Sequence, residues 1–222
     1  MAGVTQQVLL AMGSTARVSF LTDAFDGTDL TTYSFASISL GDDTATRVIV
    51  VGAGTVDTGA NSIASGTIGG VATTVIANAD SGGGVGAVAG MMYAVIPTGT
   101  GSTGTIAVTM TAAAFRLKIG VWVIYNYAAS APYANNTSVV DPNSATRTPT
   151  ANSVCIGVST TYTEAGATYT WTNLTENYDA DGEGINENYS GACAQGLAAA
   201  STTFTGDPSA ATTTAGVFAF WA

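Results

Sequence analysis

The chain has 222 residues, and its 15 acidic against 5 basic side chains give a net charge of −10. The five cations, Arg17, Arg47, Arg116, Lys118 and Arg147, are scattered, which excludes the clustered positive charge that nucleic acid or an anionic membrane surface requires. Charged residues make up only 9%, where soluble domains average about 25%. Thr, Ser, Asn, Gly and Ala must therefore coat the surface, and such a coat suits close lateral packing better than lysine, which is depleted at interfaces.

The first residues carry no basic leader, and the apolar piece Val8-Leu9-Leu10-Ala11-Met12 is too short for a signal sequence. Synthesis in a host cytoplasm without a signal peptide is expected. No apolar run reaches the roughly 18 residues of a membrane helix. The pattern leaves the packing of residues 1–30 open.

Strand signals follow throughout, and helical periodicity is nearly absent. Arg47-Val-Ile-Val-Val51 is a short β-branched run, and Ile68-Gly-Gly-Val71 predicts a two-residue hairpin turn, with both glycines at positive φ. Asp80-Ser-Gly-Gly-Gly-Val-Gly86 reads as a loop, Met91–Ile96 as a strand, and Pro97–Gly104 as a turn into the alternating Ile106, Val108 and Met110. From Phe115 to Tyr125, one face carries Phe115, Leu117, Ile119, Val121, Val123 and Tyr125; the other carries Arg116, Lys118, Trp122 and Ile124. That pattern predicts a long strand with a solvent-facing first half and a second half covered on both sides.

Between residues 128 and 150 the periodicity dissolves, which predicts a surface crossover within one sandwich. Ser153–Val158, Thr168–Trp171 and Val217–Trp221 resume it, and the last run is expected to be a core strand that cannot be trimmed. Trp122 and Trp221 are assigned to the core. Tyr125, Tyr127, Tyr133, Tyr162, Tyr169, Trp171 and Tyr178 are candidates for exposed aromatic platforms. The fold class is all-β: a jelly-roll-like β-sandwich spanning 1–222 as one domain.

Chemistry-bearing patterns are few. Asn177-Tyr-Asp-Ala-Asp-Gly-Glu-Gly-Ile-Asn-Glu-Asn188 places oxygen side chains at alternate positions like a calcium loop. The bidentate glutamate, Glu187, falls one place early for an EF-hand, and neither flank is helical. The reading is an acidic turn, with Asp179, Asp181, Glu183 and Glu187 as the residues of a cation site if one exists. No cofactor is expected, and calcium is not expected to be needed for folding.

The chain has no histidine, which removes the usual triads and zinc-hydrolase ligands. A carboxylate pair such as Glu164 with Glu176 would serve a glycosidase, but nothing around it distinguishes it from solvated loop acids. Cys155 and Cys193, 38 residues apart, match no zinc spacing and read as buried thiols or a late-formed disulfide.

Thr32–Gly41, Ala45–Val51, Gly66-Thr-Ile-Gly-Gly-Val-Ala-Thr73, Tyr93–Gly99 and Thr170–Glu176 together resemble a group of tailed-phage structural proteins, over roughly residues 30 to 222. The resemblance implies a virion β-sandwich and brings no catalytic residues with it. The expectation is a non-enzymatic decoration or cement protein on the virion surface, contacting the major capsid protein or other virion proteins. It is expected to form a homo-oligomer, trimer or dimer. The alternatives are a carbohydrate- or receptor-binding module of a fibre or spike, and a polysaccharide-degrading enzyme.

Overall fold

A computed structural model describes residues 15–163, 167–182 and 186–222. Its regular elements are strands: β1 Arg17–Asp26, β2 Leu30–Ser39, β3 Arg47–Asp57, β4 Ile63–Ile68, β5 Val71–Ala72, β6 Thr74–Asp80, β7 Gly86–Ile96, β8 Thr103–Ala114 and β9 Leu117–Tyr125. They continue with β10 Ala134–Ser138, β11 Asn143–Arg147, β12 Ser153–Tyr162, β13 Tyr169–Thr172, β14 Thr175–Asp181, β15 Glu187–Leu197, β16 Thr202–Pro208 and β17 Thr213–Trp221.

Residues 17–125 form two sheets, ordered β1-β9-β3-β7-β6 and β2-β8-β4-β5. Successive strands alternate between them, except that β4 and β5 share the smaller sheet and β6 and β7 the larger, the path of a jelly roll. At Thr73, whose backbone N–H donates to the Gly66 carbonyl at 3.0 Å, the chain crosses from one sheet to the other. Residues 134–221 repeat the path, with sheets β10-β17-β12-β15-β14 and β11-β16-β13. The two five-stranded orders correspond strand for strand: β1 to β10, β9 to β17, β3 to β12, β7 to β15 and β6 to β14. The smaller sheets correspond likewise, β2, β8 and β4 to β11, β16 and β13, with β5 unmatched.

The expected jelly-roll-like sandwich is thus wound twice, and the two copies stand back to back in four layers. Three apolar cores separate the layers. Tyr33, Ile49, Val51, Ile106, Val121 and Val123 fill the first copy; Cys155, Phe204, Phe218 and Phe220 fill the second. Val48, Val50, Trp122, Ile124, Ile156, Val158, Val217 and Trp221 fill the seam between them. Period-2 alternation explains the division, since Ile49 and Val51 on β3 point outward to the small sheet while Val48 and Val50 point to the seam.

Glycines let the big sheets approach. A β-carbon on Gly52 would collide with Val158, and one on Gly120 or Gly191 with the Tyr178 ring. The hairpin at Gly69 and Gly70 has φ of +57° and +82°, and Ile68 pairs with Val71 across it as expected.

Three details differ from the sequence reading. The first half of the 115–125 strand does not face solvent, because the second jelly roll covers it. Lys118 is buried against Asp23, and Arg116 lies 3.5 Å from Glu187. The stretch 128–150 holds two short strands, β10 and β11, which open the second jelly roll. Of residues 1–30, those from Arg17 to Asp26 form an edge strand paired with β9.

Candidate functional site

The described parts of the acidic stretch lie on the paired antiparallel strands β14 and β15. Asp179 stands opposite Ser190, and Asp181 opposite Asn188. Alternation puts these two aspartates on one side, where Asp179 Oδ2 accepts the Tyr169 backbone N–H at 2.8 Å and Asp181 Oδ1 accepts the Asn188 side-chain amide. Glu187 leaves from the other side, buried, accepting the Tyr189 hydroxyl and facing Arg116. Glu183 lies outside the described residues, as does Glu164 of the carboxylate pair. Among the described residues no group of three or more His, Cys, Asp or Glu converges on a point that would hold a metal ion.

Burial raises the Asp179 carboxyl above the usual carboxylate range, with Asp181 adding to the effect. Burial also raises Glu187, opposed by the Tyr189 hydrogen bond and the Arg116 charge. Cys155 pairs with Ala194, whereas Cys193 pairs with Ile156, one step along. The thiols therefore leave opposite faces of the sheet and are free, each raised above the ordinary thiol value by burial.

At one side of the stack, the edge of the first jelly roll meets the edge of the second. Val18, Ser19 and Phe20 of β1 face Thr175, Asn177, Cys193, Ala194 and Gln195 across a cleft of about 470 Å³. Phe20 stacks on Tyr178 at 5.8 Å between ring centres, and Trp122 lies 5.6 Å from Phe20. Trp122 Nε1 donates to Asn177 Oδ1 at 2.8 Å, and the Val18 backbone N–H donates to Gln195 Oε1 at 3.3 Å. Of the seven aromatic candidates, Tyr178 belongs to this cluster, Tyr169 is buried in the second core, and Tyr133 is the one that is exposed. Trp122 and Trp221 are fully buried.

Each small sheet turns one face outward, away from its core. On the first, Thr32, Thr109 and Ser65 form one cross-strand row; Ser34, Ala107, Thr67 and Ala72 form the next. None of its four strands contains Asp, Glu, Lys or Arg. On the second, Thr146 pairs with Thr203, their hydroxyls 2.9 Å apart, and Ser144, Thr205 and Thr172 form a row. The pair Thr170 and Asp207 adds the one carboxylate of that face. Acids gather instead at strand ends and loops: Asp26, Asp29, Asp42, Asp43, Asp57 and Asp80 in the first jelly roll.

Composition announces an uncharged coat but not its arrangement. The signal was the run Thr103-x-Thr105-x-Ala107-x-Thr109-x-Thr111 with Thr170-x-Thr172 and Thr203-x-Thr205, alternate small polar residues that one sheet face displays together. Compared with family models, curated proteins and solved structures, the chain matches none of them.

Proposed function

We propose that the protein is a non-enzymatic structural component of a phage virion that works by adhesion, as a decoration or cement protein on the capsid surface. The observation that carries the reading is the pair of outer sheet faces. A chain of net charge −10 repels copies of itself, and contact costs least where no charge has to be desolvated or opposed. The first outer face offers such contact throughout and the second away from Asp207, with hydroxyl and methyl groups that accept either polar or apolar neighbours.

Size then limits the mode of action. Three or four strands about 4.8 Å apart, with about six residues each at roughly 3.4 Å, give a face of ~300–400 Å². A standard stable interface uses about 800 Å² per partner. One face alone therefore holds weakly, and many copies arrayed on a symmetric particle, or a cyclic homo-oligomer joined through one face, supply the strength through avidity. A cement protein must be abundant, so quantitative densitometry of purified virions should find hundreds of copies per particle. Tens or fewer would favour a fibre or spike component instead.

A further inference from the structure

We propose that the cleft at the seam of the two jelly rolls is a binding site for a neutral saccharide unit. Its volume, about 470 Å³, falls within the roughly 300–1,000 Å³ of small-molecule sites. It is also composite: β1 supplies one wall, β14 and β15 the other, so it exists only because the two copies stand back to back with these edges alongside each other. Its character follows from four features of the lining.

Phe20 lines the cleft with its ring backed by Tyr178 and Trp122, which fixes the ring as a platform for the apolar face of a sugar. The two amides are turned the same way. Asn177 Oδ1 is occupied by the Trp122 indole, and Gln195 Oε1 by the Val18 backbone; the Asn177 NH₂ group is shared with the Cys193 thiol, and the Gln195 NH₂ group is the remaining donor. Gln195 Nε2 has no hydrogen-bond acceptor among the described residues. Ser19 and Thr175 add hydroxyls that donate or accept. Finally, no Asp, Glu, Lys or Arg lines the cleft.

A donor-rich, uncharged wall beside a fixed aromatic ring matches the ring and hydroxyl oxygens of a neutral hexose or N-acetylhexosamine. It offers no counter-charge to a phosphate, a sialic acid or a uronic acid. The burial-raised Cys193 thiol contributes a soft, neutral wall and no nucleophile. This inference does not rest on the adhesion reading, since a particle-bound protein and a free one would carry the same cleft.

The test is a titration of the full ¹⁵N-labelled chain with glucose, galactose and N-acetylglucosamine, with N-acetylneuraminic acid and inorganic phosphate as charged probes. The expected result is saturable shifts of the Trp122 indole and Gln195 side-chain amide resonances with at least one neutral sugar in the millimolar range, and none with the charged probes. Phe20→Ala should weaken binding roughly fivefold to tenfold. Gln195→Ala, at an exposed position that leaves folding intact, should weaken it too. Absence of a saturable shift with all three neutral sugars would overturn the proposal, as would preference for a charged probe. Unchanged affinity in Gln195→Ala would overturn it as well.

Discussion

The seam and the outer sheets are both built from β-strands of the same chain, yet they solve opposite problems. The seam buries Val, Ile and Trp against glycines and pairs its few ions, Lys118 with Asp23 and Arg116 with Glu187. The outer sheets bury their inner faces in the two jelly-roll cores, and their outer faces expose Thr, Ser and Ala with almost no charge. A seam held by fit is intolerant of change in volume. An outer face held by nothing tolerates change of shape, and what it excludes is charge. On the proposed reading adhesion belongs to the outer faces, while the seam packs the two jelly rolls together.

The largest effect should come from deleting Val217 to Ala222. Strand β17 lies between β10 and β12 and sends Val217, Ala219 and Trp221 to the seam, and Phe218 and Phe220 to the second core. Each large side chain contributes roughly 1.5–3 kcal/mol when buried, and the sum rivals the about 5–15 kcal/mol of a whole domain. The truncated chain should be insoluble; a soluble product with a cooperative melt would deny β17 its central place.

Next comes Gly52→Val, which drives a branched side chain into Val158 across the seam. Overpacking of this kind costs about 1–3 kcal/mol, read as a lower urea midpoint. By contrast, Thr109→Lys and Thr205→Lys on the outer faces should change stability by less than about 1 kcal/mol. If the outer substitutions cost as much as the seam substitution, the contrast between the regions fails.

The smallest effect is with pH. Burial raises Glu187 and Asp179 above their ordinary values, so the folded chain takes up their protons more readily than the unfolded chain does. Their contribution to stability therefore grows as pH falls from neutral and levels off below about pH 4. Asp43 runs the other way: its hydrogen bond from Arg47 lowers it, and its contribution is lost on stronger acidification, as pH falls through its depressed folded value. Calorimetry should show a modest rise in Tm from about pH 7 to pH 4.5, reduced in Glu187→Gln. A monotonic fall would contradict it.

Much of the fold was legible in letters. The Ile68-Gly-Gly-Val71 hairpin, the loops at 80–86 and 97–104, and the central C-terminal strand follow from turn chemistry and period-2 alternation. The doubling was not. Gly120-Val-Trp-Val-Ile-Tyr125 and Gly216-Val-Phe-Ala-Phe-Trp221 look alike and sit on corresponding strands, yet Trp122 points to the seam and Phe218 to the outer core. A one-residue slip exchanges every face of a strand, so the likeness of letters conceals the repeat.

The buried Lys118 escaped for a related reason: its partner Asp23 is 95 residues away in sequence. The candidate site was half legible. Composition showed the lack of charge, and only the sheet register showed that threonines from separate strands share one face.

The central claim is adhesion through uncharged faces, and its most direct test is to strip the protein from particles and add it back across a salt series, alongside the Thr109→Lys/Thr205→Lys chain. Contacts without ion pairs are indifferent to screening, whose length is about 8 Å at physiological salt. The account predicts rebinding that persists at high salt and is lost in the doubly substituted chain. Release of the natural chain at moderate salt, or full rebinding by the lysine variant, would contradict it.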